Sequence, residues 1–175
     1  MLVLSQNDVL LNSLKQYFSN NTKEYQTFLD IVNKKSEISL RILDFFVTTY
    51  AKQKKLILPE NQYTVHQEYK NQLRGYSKKK FDPFSRTYKN SAPRKFLFEH
   101  PEGNIETTIG QLNFFRWALS NGIVEYLNNH YDDVFPLLSK NTKNTAKKTR
   151  NKESEEELHI TARKEDGSIV VSGLI

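Results

Sequence analysis

The segment from Thr108 to Ser120 limits the architecture more than any other. Thr108 and Gln111 have the spacing of a capping pair, in which a hydroxyl and a longer polar side chain three residues on satisfy the first free amides of a helix. Beyond them Leu112, Phe114, Phe115, Trp117, Ala118 and Leu119 cover most of a helical circumference, and only Asn113, Arg116 and Ser120 form a polar stripe. A helix that is apolar almost all round is a buried one. Each large side chain it removes from water contributes about 1.5 to 3 kcal/mol.

Other elements follow from the same periodicities. Val9, Leu10, Leu14, Tyr17 and Phe18 recur at helical steps over residues 5–20, with Ser5 and Asp8 spaced as a cap. A second helix after Thr22 is expected to bury Tyr25, Phe28, Leu29 and Val32. Ser36 reads as the cap of a third, running to about Lys52, whose polar side is only Arg41, Asp44, Thr48 and Lys52. Tyr63 to His66 alternates in the manner of a short strand. A fourth helix through Glu68, Tyr69, Gln72 and Leu73 is expected to stop near Gly75, since glycine accepts the left-handed geometry of a helix end. Ser77 to Arg86 reads as a loop turned by Asp82-Pro83. Lys95 to Glu99 and Ile105 to Thr107 read as short strands joined through Pro101-Glu102-Gly103-Asn104. Asn121-Gly122 should end the central helix, with Ile123 folding back on it, and a last helix carries Val124, Tyr126, Leu127 and Val134 before Pro136.

A chain of 175 residues suits one domain with a tail. The expected fold class is α+β, mainly α. It comprises a compact helical domain with short strands over 1–138, a flexible charged linker over 139–157, and a C-terminal β-hairpin over 158–175 turned by Asp166-Gly167. There is no cysteine, which removes disulfides, thiolate nucleophiles and Cys-based metal sites. Neither a secretory leader nor a stretch of roughly 18 apolar residues is evident, so the expected setting is cytoplasm or nucleus, or the inside of a particle, and not a membrane.

The net charge of +6 is unevenly spread. Residues 1–51 balance five basic against five acidic side chains. From Lys52 to Lys95 twelve Lys and Arg face only Glu60, Glu68 and Asp82, whereas Phe96 to Ser139 has Arg116 alone against six acids. His66, His100, His130 and His159 lack metal-ligand spacing, and no phosphate-binding loop, nucleophile elbow or zinc-protease motif is present. No catalytic residue, metal or cofactor is expected, and the chain reads as a binding protein.

The functional signal is the basic middle. Arg74, Lys78, Lys79, Lys80, Arg86 and Lys89 alternate with Tyr76, Phe81, Phe84 and Tyr88. Cations neutralise phosphates and flat rings stack on bases, a pairing that suits single-stranded nucleic acid. The competing explanation is that the rings face the core and the lysines are solvated. Ala118, Gly122 and Ile123 also have the spacing of a helix-turn-helix, but the following helix would carry Glu125, Asp132 and Asp133 toward phosphates. The basic run from Lys140 to Lys152 is a steering segment, a localisation signal or a spacer, with Glu153, Glu155, Glu156 and Glu157 behind it.

Four stretches carry a resemblance: Ile38 to Thr48, Tyr69 to Leu73 with Tyr76 to Lys79, Phe81-Asp82-Pro83-Phe84, and Glu106 to Ala118. Together they look like an uncharacterised family of nucleocytoplasmic large DNA viruses, over roughly residues 36–130. The chain departs from that pattern at Ser85-Arg86-Thr87, where a more basic run is expected, and at Ser172-Gly173-Leu174-Ile175. The resemblance implies a viral protein and supplies no catalytic residues. The leading expectation is a non-enzymatic viral protein binding nucleic acid, single-stranded in preference, through the basic aromatic segment. The alternatives are a virion or assembly component contacting other viral proteins, and a viral transcription factor.

Overall fold

Ser5 starts the first helix as its spacing from Asp8 predicts. Its amide donates to the Asp8 carboxylate (3.0 Å) and its hydroxyl accepts from the Asp8 amide (3.3 Å). In the computed structural model, which describes residues 5–59, 61–86 and 95–141, the elements in chain order are α1 (Gln6–Asn20), α2 (Thr22–Val32), α3 (Leu40–Phe45), a π-helical turn (Phe46–Tyr50), α4 (Ala51–Lys54), α5 (Val65–Lys80), β1 (Phe96–Phe98), β2 (Ile105–Thr107), α6 (Ile109–Ser120) and α7 (Ile123–Asn129). Residues 131–141 are helical too, so the chain continues as a helix through Pro136 rather than ending before it. The fold is α+β and mainly α. Met1–Val134 forms one compact unit and Phe135–Ile175 a second. The predicted hairpin over 158–175 and all but the first residues of the predicted linker lie outside the described residues.

α6 is the axis of the first unit, packed against α1, α5 and α7. Leu112, Phe114, Phe115 and Ala118 are fully enclosed. Phe115 meets Phe28 edge to face at 4.8 Å, and Phe114 meets both Phe81 and Trp117. α2 buries Tyr25, Phe28, Leu29 and Ile31, so Ile31 takes the place expected of Val32. β1 and β2 pair antiparallel, with Leu97 opposite Glu106. Gly122 adopts the left-handed φ of 66° expected of the turn after α6, and Ile123 is buried.

Three local expectations are corrected. Ser39, not Ser36, caps α3 by accepting from the Ile42 amide, while Ser36 accepts from Ile38. The helical run from Leu40 to Lys54 is interrupted by the π turn, which brings Phe45, Phe46 and Val47 into the core consecutively; one wider turn rotates the buried face, as an inserted residue does. His66 Nδ1 lies 3.1 Å from the Val47 carbonyl within that turn. Tyr63 to His66 does not form a strand, because Thr64 caps α5 through the Gln67 amide and Val65 and His66 are already helical.

Tyr25 illustrates how polar groups enter this core. Its hydroxyl donates to the Gly103 carbonyl (2.7 Å), its ring lies 3.8 Å from that of His100, and burial pushes its phenol up to about 12. An unfolded tyrosine ionises near about 10. The folded state therefore holds the proton more tightly, and the stability this provides is complete below about pH 10 and is lost as pH rises toward 12. Urea unfolding followed across that window should show the midpoint falling, with a shallower fall in Tyr25→Phe. Identical pH profiles for the two proteins would contradict the assignment.

Candidate functional site

The N-terminal edge of α6 holds the basic segment in place. Thr107, Thr108, Gln111 and Asn113 are all at least 98% buried, and each has a defined partner. Thr108 caps the helix through the Gln111 amide. The Gln111 side chain accepts from the Thr107 hydroxyl (2.8 Å) and donates to the Pro83 carbonyl (2.9 Å). Asn113 donates to the Lys80 carbonyl (2.9 Å) and accepts from Arg116 Nη2 (2.7 Å). The Gly110 carbonyl accepts from the Asp82 amide (3.2 Å). A Cβ on Gly110 would stand 3.0 Å from the Lys79 carbonyl oxygen, so the missing side chain is what lets the two backbones meet. Asn113, predicted for the solvent stripe of α6, is thus an internal anchor.

These bonds explain why α5 does not stop at Gly75. Glycine in an exposed helical position gives the same sequence signal as a helix end, and here the helix runs to Lys80 with a break at Ser77 (φ 62°, ψ 165°). That backbone region is nearly restricted to glycine and costs on the order of 1 to 3 kcal/mol for other residues. It persists because Lys80, Asp82 and Pro83 are tied to α6. The expected loop over Ser77 to Arg86 is therefore a kinked last helical turn followed by a pinned, irregular piece.

The ten residues singled out in the sequence separate into groups. Phe81 is a correction: it is 1% exposed and packs on Phe114, Trp117 and Tyr69, since the anchored backbone directs its ring inward. Arg74, Lys78 and Lys79 are exposed and Lys80 is half-exposed, and no ion pair among the described residues involves any of them. Tyr76 is half-buried, its ring nearly parallel to Phe81 (16°), its hydroxyl 3.5 Å from Arg116 Nη2. Phe84 is half-buried beneath the Arg86 guanidinium, 4.4 Å from the ring centroid. Arg86 also faces Asp82 at 3.7 Å. Burial holds the Asp44 carboxyl above the usual range, with the charge of Arg86 opposing the effect and that of Asp82 adding to it. Tyr88 and Lys89 lie outside the described residues.

The sequence reading missed a groove beside these cations. α1 buries Leu14 and Phe18, but the same apolar stripe runs on to Leu10, half-covered, and Val9, 56% exposed. With Gln6, Ser13, Tyr76 and Arg116 they line a space of about 410 Å³. A second space of about 370 Å³ shares Gln6, Leu10 and Tyr76 and is also lined by Arg74, Ser77 and Lys80. Arg116 Nη1 donates to Ser13 (3.0 Å), linking α6 to α1. The one signal available was Arg116 itself, the single cation in an otherwise acidic stretch. A larger cleft of about 580 Å³, between Leu58, Asn121 and Tyr126, has Glu125 as its only formal charge. Among the described residues no group of three or more His, Cys, Asp or Glu is placed to hold a metal ion, and no helix is long and apolar enough to cross a membrane.

The profile of a family of unknown function, DUF7197, matches residues 2–172. The chain belongs to this family. It is also 38% identical over 153 residues to an uncharacterized protein of Acanthamoeba polyphaga mimivirus, covering 84% of this chain and 59% of that relative. The chain thus spans about six-tenths of the relative's length. Both findings agree with the resemblance to a family of large DNA viruses drawn from residues 36–130. No solved structure matches the chain.

Two substitutions distinguish an anchored segment from a loosely packed one. Gly110→Ala should destabilise by about 1 kcal/mol or more, because the Lys79 carbonyl cannot retreat between bonded neighbours and overpacking outweighs the helical gain. Gly75→Ala, with open space around its Cβ, should instead stabilise by roughly 0.5 to 1 kcal/mol. Urea denaturation of both variants checks the pair, and equal effects would refute the anchoring. Gln111→Leu should cost about 1 to 3 kcal/mol by leaving the Pro83 carbonyl and Thr107 hydroxyl unpaired.

Proposed function

We propose that the chain is a non-enzymatic viral protein that binds nucleic acid, single strands in preference, by phosphate contacts from Arg74, Lys78, Lys79 and Lys80. The observation that carries this reading is their common place on the last turns of α5, exposed or half-exposed and, among the described residues, without an ion-pair partner, while nearby Arg86 is paired with Asp82. Cations concentrated in one short stretch attract a polyanion, and each phosphate neutralised releases condensed counterions. The fixed backbone favours binding further, because the segment is ordered before the partner arrives. Ring stacking has a smaller share than composition suggests: Phe81 is withdrawn, leaving Tyr76 and Phe84 partly open.

A second reading, a virion or assembly component, draws on exposed apolar side chains. Leu97 on β1 is 59% exposed, and a short strand with an apolar outer residue suits pairing with another chain. Purification from infected cells with and without nuclease separates the two, since partners retained after nuclease treatment favour direct protein contact.

For single strands the dependence of log affinity on log salt has a slope of about −0.7 per phosphate neutralised, so four contacts give about −3. Replacing Lys78, Lys79 and Lys80 by Gln should flatten the slope to about −1 without unfolding the protein, because the α6 anchors bond backbone atoms there. Fluorescence anisotropy with a labelled oligonucleotide measures both slopes, and the single tryptophan, Trp117 against Phe81, reports that the variant is folded. Affinity indifferent to salt would reject the reading.

A further inference from the structure

We propose that the groove between α1 and the end of α5 receives one unpaired base of a bound strand, which makes binding selective for single-stranded nucleic acid. This deepens the phosphate-binding reading and rests on it. The groove's composition is divided along its length. Val9 and Leu10 supply an apolar wall, and Tyr76 supplies a ring whose near-parallel packing on Phe81 fixes its plane. Arg74 and Lys80 line the second of the two spaces, and among the described residues no carboxylate lines either. A flat, uncharged group flanked by phosphates matches that order of surfaces.

Size and hydrogen bonding narrow the occupant. Spaces of about 410 and 370 Å³ that share Gln6, Leu10 and Tyr76 fall in the small-molecule class rather than that of a groove for a peptide helix. Arg116 has five N–H donors, and among the described residues three hydrogen bonds engage them, with Ser13, Asn113 and Tyr76. The remaining donors suit the carbonyl oxygens on a base edge, and the bond to buried Asn113 holds the guanidinium in position. A base within a duplex is stacked and paired, so it has no face or edge to offer here.

The test compares a labelled oligothymidylate with an abasic strand of the same length and charge, at several salt concentrations. The wild-type chain should prefer the base-bearing strand by about tenfold, the scale of a single stacking contact. Tyr76→Leu and Leu10→Gln should each bring that ratio toward one with the salt slope unchanged. Two variants are used so that misfolding of either, seen in Trp117 fluorescence, leaves the other decisive. Equal affinity of the wild type for both strands, with the steep salt slope retained, would overturn the base site and leave phosphate binding intact. A ratio that survives both substitutions would overturn it as well, since the base would then sit elsewhere. Salt-dependent binding to neither strand would overturn both proposals and point instead to an acidic protein segment.

Discussion

The hydrogen bonds that Gln111, Asn113 and Gly110 make to the backbone of Lys80, Asp82 and Pro83 are the constraint on which the rest of this structure turns. They lie within 2% of complete burial on the side-chain donors. In such surroundings an amide that loses its partner costs more than the bond contributes when made, so the arrangement resists gradual loosening. Because the bonds are to backbone, they fix the path of the chain without engaging the side chains of Lys78, Lys79 and Lys80. The strained Ser77 and the inward Phe81 are both consequences of that path.

This division of labour separates anchoring from display. Phe81 fastens the segment from inside by packing among Phe114, Trp117 and Tyr69, and the lysines occupy the outside. A sequence in which cations and rings alternate looks like one binding surface, yet here the alternation follows from a chain with an inner and an outer side. The residues that hold the segment, Thr107 to Arg116, fall in the last of the four stretches that carry the resemblance to the viral family.

The parts of the fold legible in the sequence were those decided locally. The Thr108 cap, the two strands around the Pro101 turn, and the Gly122 stop each depend on a few neighbouring residues with one favoured geometry. What could not be read depended on distant partners. Asn113 looks like a surface residue until Lys80 is placed opposite it, and Gly110 looks unremarkable until the Lys79 carbonyl approaches. Gly75 sent the signal of a helix end because an exposed glycine within a helix has the same local character. Of the site, the cations were found and the groove was not: Val9 and Leu10 continue a core-facing stripe, and only the packing shows that the core ends before them.

Amide hydrogen exchange at Asp82 is the sharpest probe of the anchoring, since its N–H donates to the Gly110 carbonyl of α6. The account predicts protection comparable with that of the α6 interior, near Leu112. Exchange as fast as in the exposed stretch around Gln62 and Tyr63, with α6 still protected, would show that the basic segment is not held by the helix and would contradict the account.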